Sequence, residues 1–144
     1  MQIEEIRKVF ETGDKQQVEM MARRILTQPR THQYMYDLSK HATEFHDLLL
    51  ANYPNERDYL ALVYILAENL MEINNGACAC SIVYKPMYNS ADRLGGILEI
   101  LTENFVEREY CLVVHSKCLA CGKKYESKSF ESGFGQKVTW AEFR

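Results

Sequence analysis

The chain has 144 residues, of which 47% are hydrophobic, and a formal net charge of −3. This length predicts one domain, or at most two small halves that share a core. The apolar content is sufficient for a buried core, which excludes wholesale disorder. So small a net charge excludes a strong general attraction to nucleic acid or to an anionic membrane. We find no signal-peptide core, and no apolar run approaches the roughly 18 residues that a membrane span requires. We therefore expect a cytoplasmic protein, whose cysteines bind metal or stay free because the compartment is reducing.

The first 75 residues have the apolar periodicity of helices. A first helix is predicted before Gly13. Asp14 and Gln17 have the spacing of a capping box that begins a second helix, and Pro29 ends it. The apolar positions of these two helices are Ile3, Ile6, Phe10, Val18, Met21, Ala22 and Ile25.

Two longer helices are predicted next. The third runs from about Thr31 to Asn52 and has one apolar face. The fourth is capped by Asn55 and ends at Asn74-Asn75-Gly76, where asparagine and glycine tolerate the left-handed conformation of a helix end. Its apolar residues lie most of the way round, so we interpret it as the central helix of the fold. The apolar face of the third helix is formed by Tyr34, Leu38, Ala42, Phe45 and Leu49.

The composition changes after Gly76 and predicts a second half of mixed structure. Residues 77–85 are small and β-branched, which favours a short strand. Residues 90–107 have helical apolar spacing and predict a helix, although Gly95-Gly96 weakens it by about 2 kcal/mol. Three further strands are predicted, over residues 110–115, 123–130 and 138–143, with a glycine-containing turn at residues 132–135.

These elements predict an α+β fold in a single domain, residues 1–144. A helical half of about four helices, residues 1–75, is followed by a smaller half, residues 76–144. The second half is predicted to be a small antiparallel sheet with one crossover helix. No repeat, low-complexity tract or flexible linker separates the two halves.

Four of the five cysteines form two close pairs. Cys118 and Cys121 flank two residues and are followed by Gly122, which is the pattern of half a tetrahedral metal site. Cys78 and Cys80 are two residues apart, so that in a strand both sulfurs would project from the same face. Four thiolates form a closed tetrahedral shell, for which zinc is the preferred metal. The sequence therefore predicts a structural zinc site, with the connecting segment returning the chain between the pairs.

The stretch Cys118-Leu119-Ala120-Cys121-Gly122-Lys123-Lys124-Tyr125 resembles the zinc knuckle of zinc-ribbon proteins. This resemblance implies a metal site and does not extend to a function or to the whole chain. The first pair departs from the ribbon pattern, because one residue rather than two separates Cys78 from Cys80. Cys111 and His115 precede the knuckle and are the alternatives if one of the four proposed ligands is wrong.

The sequence lacks the motifs of common catalytic sites. There is no glycine-rich phosphate loop, no H-E-x-x-H, no G-x-S-x-G and no zinc-deaminase arrangement. A closed four-cysteine site leaves no position for an activated water. Asp37, His41 and Glu44 line one edge of the third helix, and we interpret them as a solvated face. We therefore expect a zinc-binding, non-catalytic intracellular protein that binds another protein.

Two alternative roles remain open. Residues 115–144 hold six Lys or Arg and three acids, so their lysines and aromatics could bind nucleic acid, as in a zinc-ribbon-like binder. The rest of the chain is acidic, and in size and charge the protein resembles the bacterial immunity proteins, which neutralise a partner protein. The sequence does not predict the oligomeric state. The candidate nucleic-acid or partner contacts are Lys117, Lys123, Lys124, Tyr125 and Lys128.

Overall fold

A computed structural model describes residues 2–27, 31–85, 94–132 and 135–143. They form two compact units, one of helices and one containing a sheet. The main division falls between Ala79 and Cys80, and Thr31 also belongs to the second unit. The predicted α+β class is therefore confirmed, and the single domain stays a prediction. In the described residues no helix has the length and apolar character needed to cross a membrane. The helices are α1 (Ile3–Thr12), α2 (Lys15–Thr27), α3 (His32–Ser39), α4 (Ala42–Asn52) and α5 (Ala61–Asn74).

The first two helices are as predicted. Gly13 ends α1, and α2 begins after Asp14. The backbone amide of Asp14 donates to Gln17 Oε1 at 3.1 Å, and the amide of Gln17 donates to Asp14 Oδ1 at 3.0 Å. This reciprocal pair is the predicted capping box. The predicted stop at Pro29 lies outside the described residues.

The predicted third helix over residues 31–52 is in fact two helices, α3 and α4. At the break, the amide of His41 bonds to the carbonyl of Leu38 at 3.0 Å, three residues back, which tightens the turn. The hydroxyl of buried Ser39 donates to the carbonyl of Tyr36 at 2.6 Å and so competes with helix hydrogen bonding. The predicted face nevertheless enters the core, where Leu38, Ala42, Phe45 and Leu49 are buried.

The helix α5 is central, as predicted, because it packs against α2, α3 and α4. It begins at Ala61 rather than after Asn55, so the predicted cap is wrong. Leu60 occupies the N-cap position and is fully buried. Burial of this leucine in the core outweighs the local capping signal of the asparagine.

The end of α5 agrees with the prediction. The amide of Ala77 bonds to the carbonyl of Glu72 at 2.9 Å, and the amide of Gly76 bonds to that of Ile73 at 3.0 Å. Gly76 has a φ of 101°, in the left-handed region. This is the hydrogen-bond pattern with which helices commonly end at glycine.

The second unit contains a four-stranded antiparallel sheet of strand order β1-β2-β3-β4. The three predicted strands are confirmed, although β2 continues to Cys118. The predicted turn between β3 and β4 includes residues 133–134, which lie outside the described residues. The strands are β1 (Leu98–Val106), β2 (Cys111–Cys118), β3 (Lys124–Ser132) and β4 (Gly135–Phe143).

Two predicted elements of the second half are wrong. The segment predicted as a crossover helix, residues 90–107, contains β1, which pairs with β2 along its length; residues 90–93 lie outside the described residues. Its apolar spacing fits a helix, but Gly95-Gly96 forms a turn, and the residues after it are rich in β-branched and aromatic types. The predicted strand over residues 77–85 contains a 3-10 helix, Ala79–Tyr84. Its branched Ile82 and Val83 are buried, so they reflect core packing rather than sheet pairing.

Candidate metal centre

The turn between β2 and β3 carries one cysteine pair. Cys118 is the last residue of β2, and its amide donates to the carbonyl of Lys123 at 2.8 Å. The amide of Gly122 donates back to the carbonyl of Cys118 at 3.1 Å. Gly122 has a φ of 77°, which a residue with a side chain adopts only under strain. The glycine of the knuckle is thus required by the tightness of this turn.

The same turn directs backbone amides at a sulfur. The amides of Ala120 and Cys121 each donate to Cys118 Sγ at 3.4 Å. Hydrogen bonds from amides stabilise the thiolate form, which is the form that binds a metal. The turn therefore prepares Cys118 as a ligand before any ion is bound.

The other cysteine pair lies at the start of the 3-10 helix. Cys80 is buried, and its Sγ lies 3.5 Å from the Sγ of Cys121 and 3.0 Å from the hydroxyl oxygen of Tyr125. Burial, together with the contact to Cys80, raises the pKa of Tyr125, which therefore stays protonated. Cys78 lies two residues earlier, with its Sγ 3.9 Å from Nδ1 of His32.

The sulfurs of Cys78, Cys80, Cys118 and Cys121 all lie within 4.8 Å of one another. A zinc–sulfur bond of about 2.3 Å in a tetrahedron separates neighbouring sulfurs by about 3.8 Å, so adjustments of the sulfur positions by about 1 Å or less suffice to form a shell. Among the side chains that the structure describes, no other set of His, Cys, Asp or Glu gathers in this way. The four cysteines predicted as ligands therefore lie together and could hold a metal ion.

The alternative ligands do not join this group. Side chains alternate along β2, so Cys111 and His115 project from the face opposite to that of Cys118. His115 Nε2 lies 2.9 Å from Glu126 Oε2, and Cys111 Sγ lies 3.6 Å from Glu109 Oε2. Burial raises the pKa of the Cys111 thiol, which opposes the thiolate form.

The predicted surface contacts are partly corrected by the structure. Tyr125 is fully buried among strands and does not offer its ring to a ligand. Lys123 lies 3.5 Å from Glu142, and Lys128 lies 3.8 Å from Glu109. The predicted contacts Lys117 and Lys124 are exposed and face each other across β2 and β3. That the four lysines contact a partner stays a prediction.

The carboxylates of the predicted polar edge on α3 and α4 already have partners. Arg7 donates to Glu44 from two guanidinium nitrogens, one of them at 2.8 Å, and this lowers the pKa of Glu44. Asp37 accepts a hydrogen bond from Gln33 at 2.8 Å. His41 Nδ1 lies 3.6 Å from Glu44.

Sequence reasoning missed two neighbours of the sulfurs. His32 is 46 residues from Cys78 in the chain, and no spacing rule connects them. An aromatic residue beside lysines is typical of a binding surface, and the sequence therefore predicts a surface contact at Tyr125. In the structure this side chain is buried. Its position directly after the knuckle was the available signal, because a strand that leaves a metal turn carries its first side chains past the ligands.

Comparison with protein-family models, with curated proteins and with solved structures gives no match. The zinc-ribbon resemblance consequently concerns the knuckle alone.

Proposed function

We propose that this chain is a non-catalytic, intracellular binding protein in which Cys78, Cys80, Cys118 and Cys121 hold one structural zinc ion. The observation that carries the proposal is the mutual distance of their sulfurs, at most 4.8 Å. Four soft sulfur ligands in a tetrahedral arrangement suit zinc or an iron–sulfur centre. We prefer zinc for a structural role because, unlike iron, it has no redox chemistry. A reducing cytoplasm would keep these cysteines available as thiols.

The role of the ion would be structural. Cys80 belongs to the 3-10 helix, and Cys118 and Cys121 belong to the hairpin of β2 and β3. An ion bound to all of them joins segments that are far apart in the chain, and such a site does not exist in the unfolded state. The free energy of metal binding would therefore add to the folding stability of the sheet unit.

Protein binding is the activity we propose for the folded chain. A closed thiolate shell has no position for a reacting water. Two of the lysines that favoured nucleic acid lie beside glutamates, which reduces the positive field of that surface. The acidic balance outside residues 115–144 favours a basic partner protein, as in the immunity-like alternative.

Metal analysis tests the zinc assignment. Protein purified without chelator should contain about one zinc per chain and no iron. Cobalt substitution should give the intense sulfur-to-metal charge-transfer bands of four-thiolate coordination. Cys→Ser changes at 78, 80, 118 or 121 should each empty the site, whereas Cys111→Ser should leave it filled. Stoichiometric iron, or loss of metal in the Cys111 variant, would contradict the proposal.

A further inference from the structure

The four cysteine residues of the centre differ in exposure. Cys80 and Cys118 are buried, and Cys78 is partly exposed. Cys121 is exposed. A soluble oxidant therefore meets Cys121 before the buried Cys80 and Cys118.

The sulfurs also differ in their hydrogen bonds. Cys118 accepts from two backbone amides, and Cys80 accepts from the hydroxyl of Tyr125 when it is a thiolate. In the part of the chain that the structure describes, the polar contact of Cys121 Sγ is the sulfur of Cys80. Hydrogen bonds withdraw electron density from a thiolate, so Cys121 retains the greatest nucleophilicity of these three.

We propose, on the basis of the four-thiolate centre proposed above, that Cys121 is the site at which hydroperoxides oxidise the protein. Cys80 is the second thiol, and the disulfide between Cys80 and Cys121 releases the metal. The centre would thus respond to peroxide as well as stabilise the fold.

The reaction has two steps. The Cys121 thiolate attacks one oxygen of hydrogen peroxide; an S–O bond forms, the O–O bond breaks and hydroxide leaves. The Cys80 thiolate then attacks the oxidised sulfur; the S–S bond forms, the S–O bond breaks and a second hydroxide leaves. Two thiolates lose two electrons, which reduce the peroxide. An ion held by the four cysteines would thereby lose two of its four ligands, which would weaken its binding.

Cys80 is favoured over Cys118 as the second thiol. Cys118 is the cysteine nearest to Cys121 in the chain, but it is not the better partner. In the structure the sulfur of Cys118 is held by two amides of its own turn, whereas Cys80 Sγ already lies 3.5 Å from Cys121 Sγ. A disulfide bond is about 2.05 Å long, so this pair needs an approach of about 1.5 Å.

Peroxide treatment of the zinc-loaded protein tests the inference. Zinc content is measured first, which tests the proposed function separately. Zinc release is then followed with a chromogenic chelator, and disulfides are mapped by mass spectrometry under non-reducing conditions. We expect zinc release to parallel formation of the Cys80–Cys121 disulfide. Reduction with dithiothreitol in the presence of zinc should restore the centre. The Cys111→Ser variant should behave like the unchanged protein.

A short pulse of iodoacetamide provides an independent measurement before any oxidation. Cys121 should be labelled about ten-fold faster than Cys80 or Cys118, because access and hydrogen bonding both favour it. A first disulfide between Cys118 and Cys121 or between Cys78 and Cys80 would overturn the inference while leaving the zinc assignment intact. Equal labelling of the three cysteines would also overturn it. Absence of zinc before treatment would overturn the proposed function itself.

Discussion

The hydroxyl of Tyr125 and the sulfur of Cys80 are 3.0 Å apart in a buried environment. Partners of this kind, next to a ligand, commonly change metal affinity by 10–100-fold when they are removed. We expect Tyr125→Phe to weaken zinc binding by about ten-fold in a competition titration with a chelator, because the ring remains and only the donor is lost.

Tyr84 offers a matched control for this change. Its ring packs edge-on against Tyr125, with centroids 6.1 Å apart, but its hydroxyl donates to Glu142 at 2.9 Å. Partial desolvation of its hydroxyl and this hydrogen bond raise the pKa of Tyr84 to about 12, so it is protonated at neutral pH. Tyr84→Phe should leave zinc affinity unchanged. An equal loss in the two variants would show that ring packing, and not the sulfur contact, is responsible.

At this scale the sequence identified ligands better than it identified their neighbours. The four cysteines are recognisable from their spacing, because the two ligands of each pair lie close together in the sequence. His32 and Tyr125 reach the sulfurs through the fold. Their proximity could be found only after the elements had been placed.

Among the elements, α1 and α4 are linked by the ion pair of Arg7 and Glu44. The hydrogen bond from Arg7 lowers the pKa of Glu44 below its ordinary value of 4.5. Since the folded-state pKa is the lower one, the pair stabilises the fold above the unfolded pKa and loses its effect as pH falls through the folded pKa. The gain is small because both side chains are more than a third exposed.

The change Glu44→Gln tests this linkage. At neutral pH the variant should be slightly less stable in urea denaturation than the unchanged protein. The difference should shrink as pH falls below the unfolded pKa and through the lowered folded-state pKa of Glu44, until the carboxylate is protonated in both states. A difference that stays constant between neutral and acid pH would show that the ionised carboxylate is not involved.

The central position of α5 gives a second prediction about elements. Leu66 and Leu70 are fully buried, so Leu66→Ala and Leu70→Ala should each lower the free energy of unfolding by roughly 2–5 kcal/mol. Leu50 on α4 is 42% exposed and provides a control of the same chemistry. Leu50→Ala should change the free energy of unfolding by much less. Comparable losses in the three variants would contradict a core centred on α5.

Elements were predicted well where local signals and packing agree. At the capping box before α2 and at the glycine that ends α5, the local sequence signal and the packing favour the same helix boundary. The segment of β1 shows the opposite case, because its apolar residues fit a helical face while their β-branched and aromatic types favour a strand. Pairing with β2 decides in favour of the strand, and this pairing involves residues outside the segment that its own sequence pattern cannot reveal. The break between α3 and α4 likewise depends on Ser39, a buried polar residue inside an apolar face.

For the whole molecule, the division between Ala79 and Cys80 bears on how the chain unfolds. The helical unit has a core of its own around α5. In the other unit, several large side chains remain exposed, including Ile100, Leu101 and Phe105 on the edge strand β1. Structural zinc contributes on the order of 10 kcal/mol in small domains that cannot fold without it. The sheet unit should therefore depend on the metal more than the helical unit does.

Strong chelation should accordingly loosen residues 77–144 first, while much of the helical circular-dichroism signal survives. Hydrogen exchange, measured by peptide with and without chelator, resolves the two parts. We expect amides of β2 and β3 next to the knuckle to lose protection before those of α5, because two ligands lie in the turn that joins these strands. Equal loss of protection in both parts would instead indicate one cooperative domain, as the sequence predicts. Unchanged protection throughout would mean that the cysteines do not form a structural site.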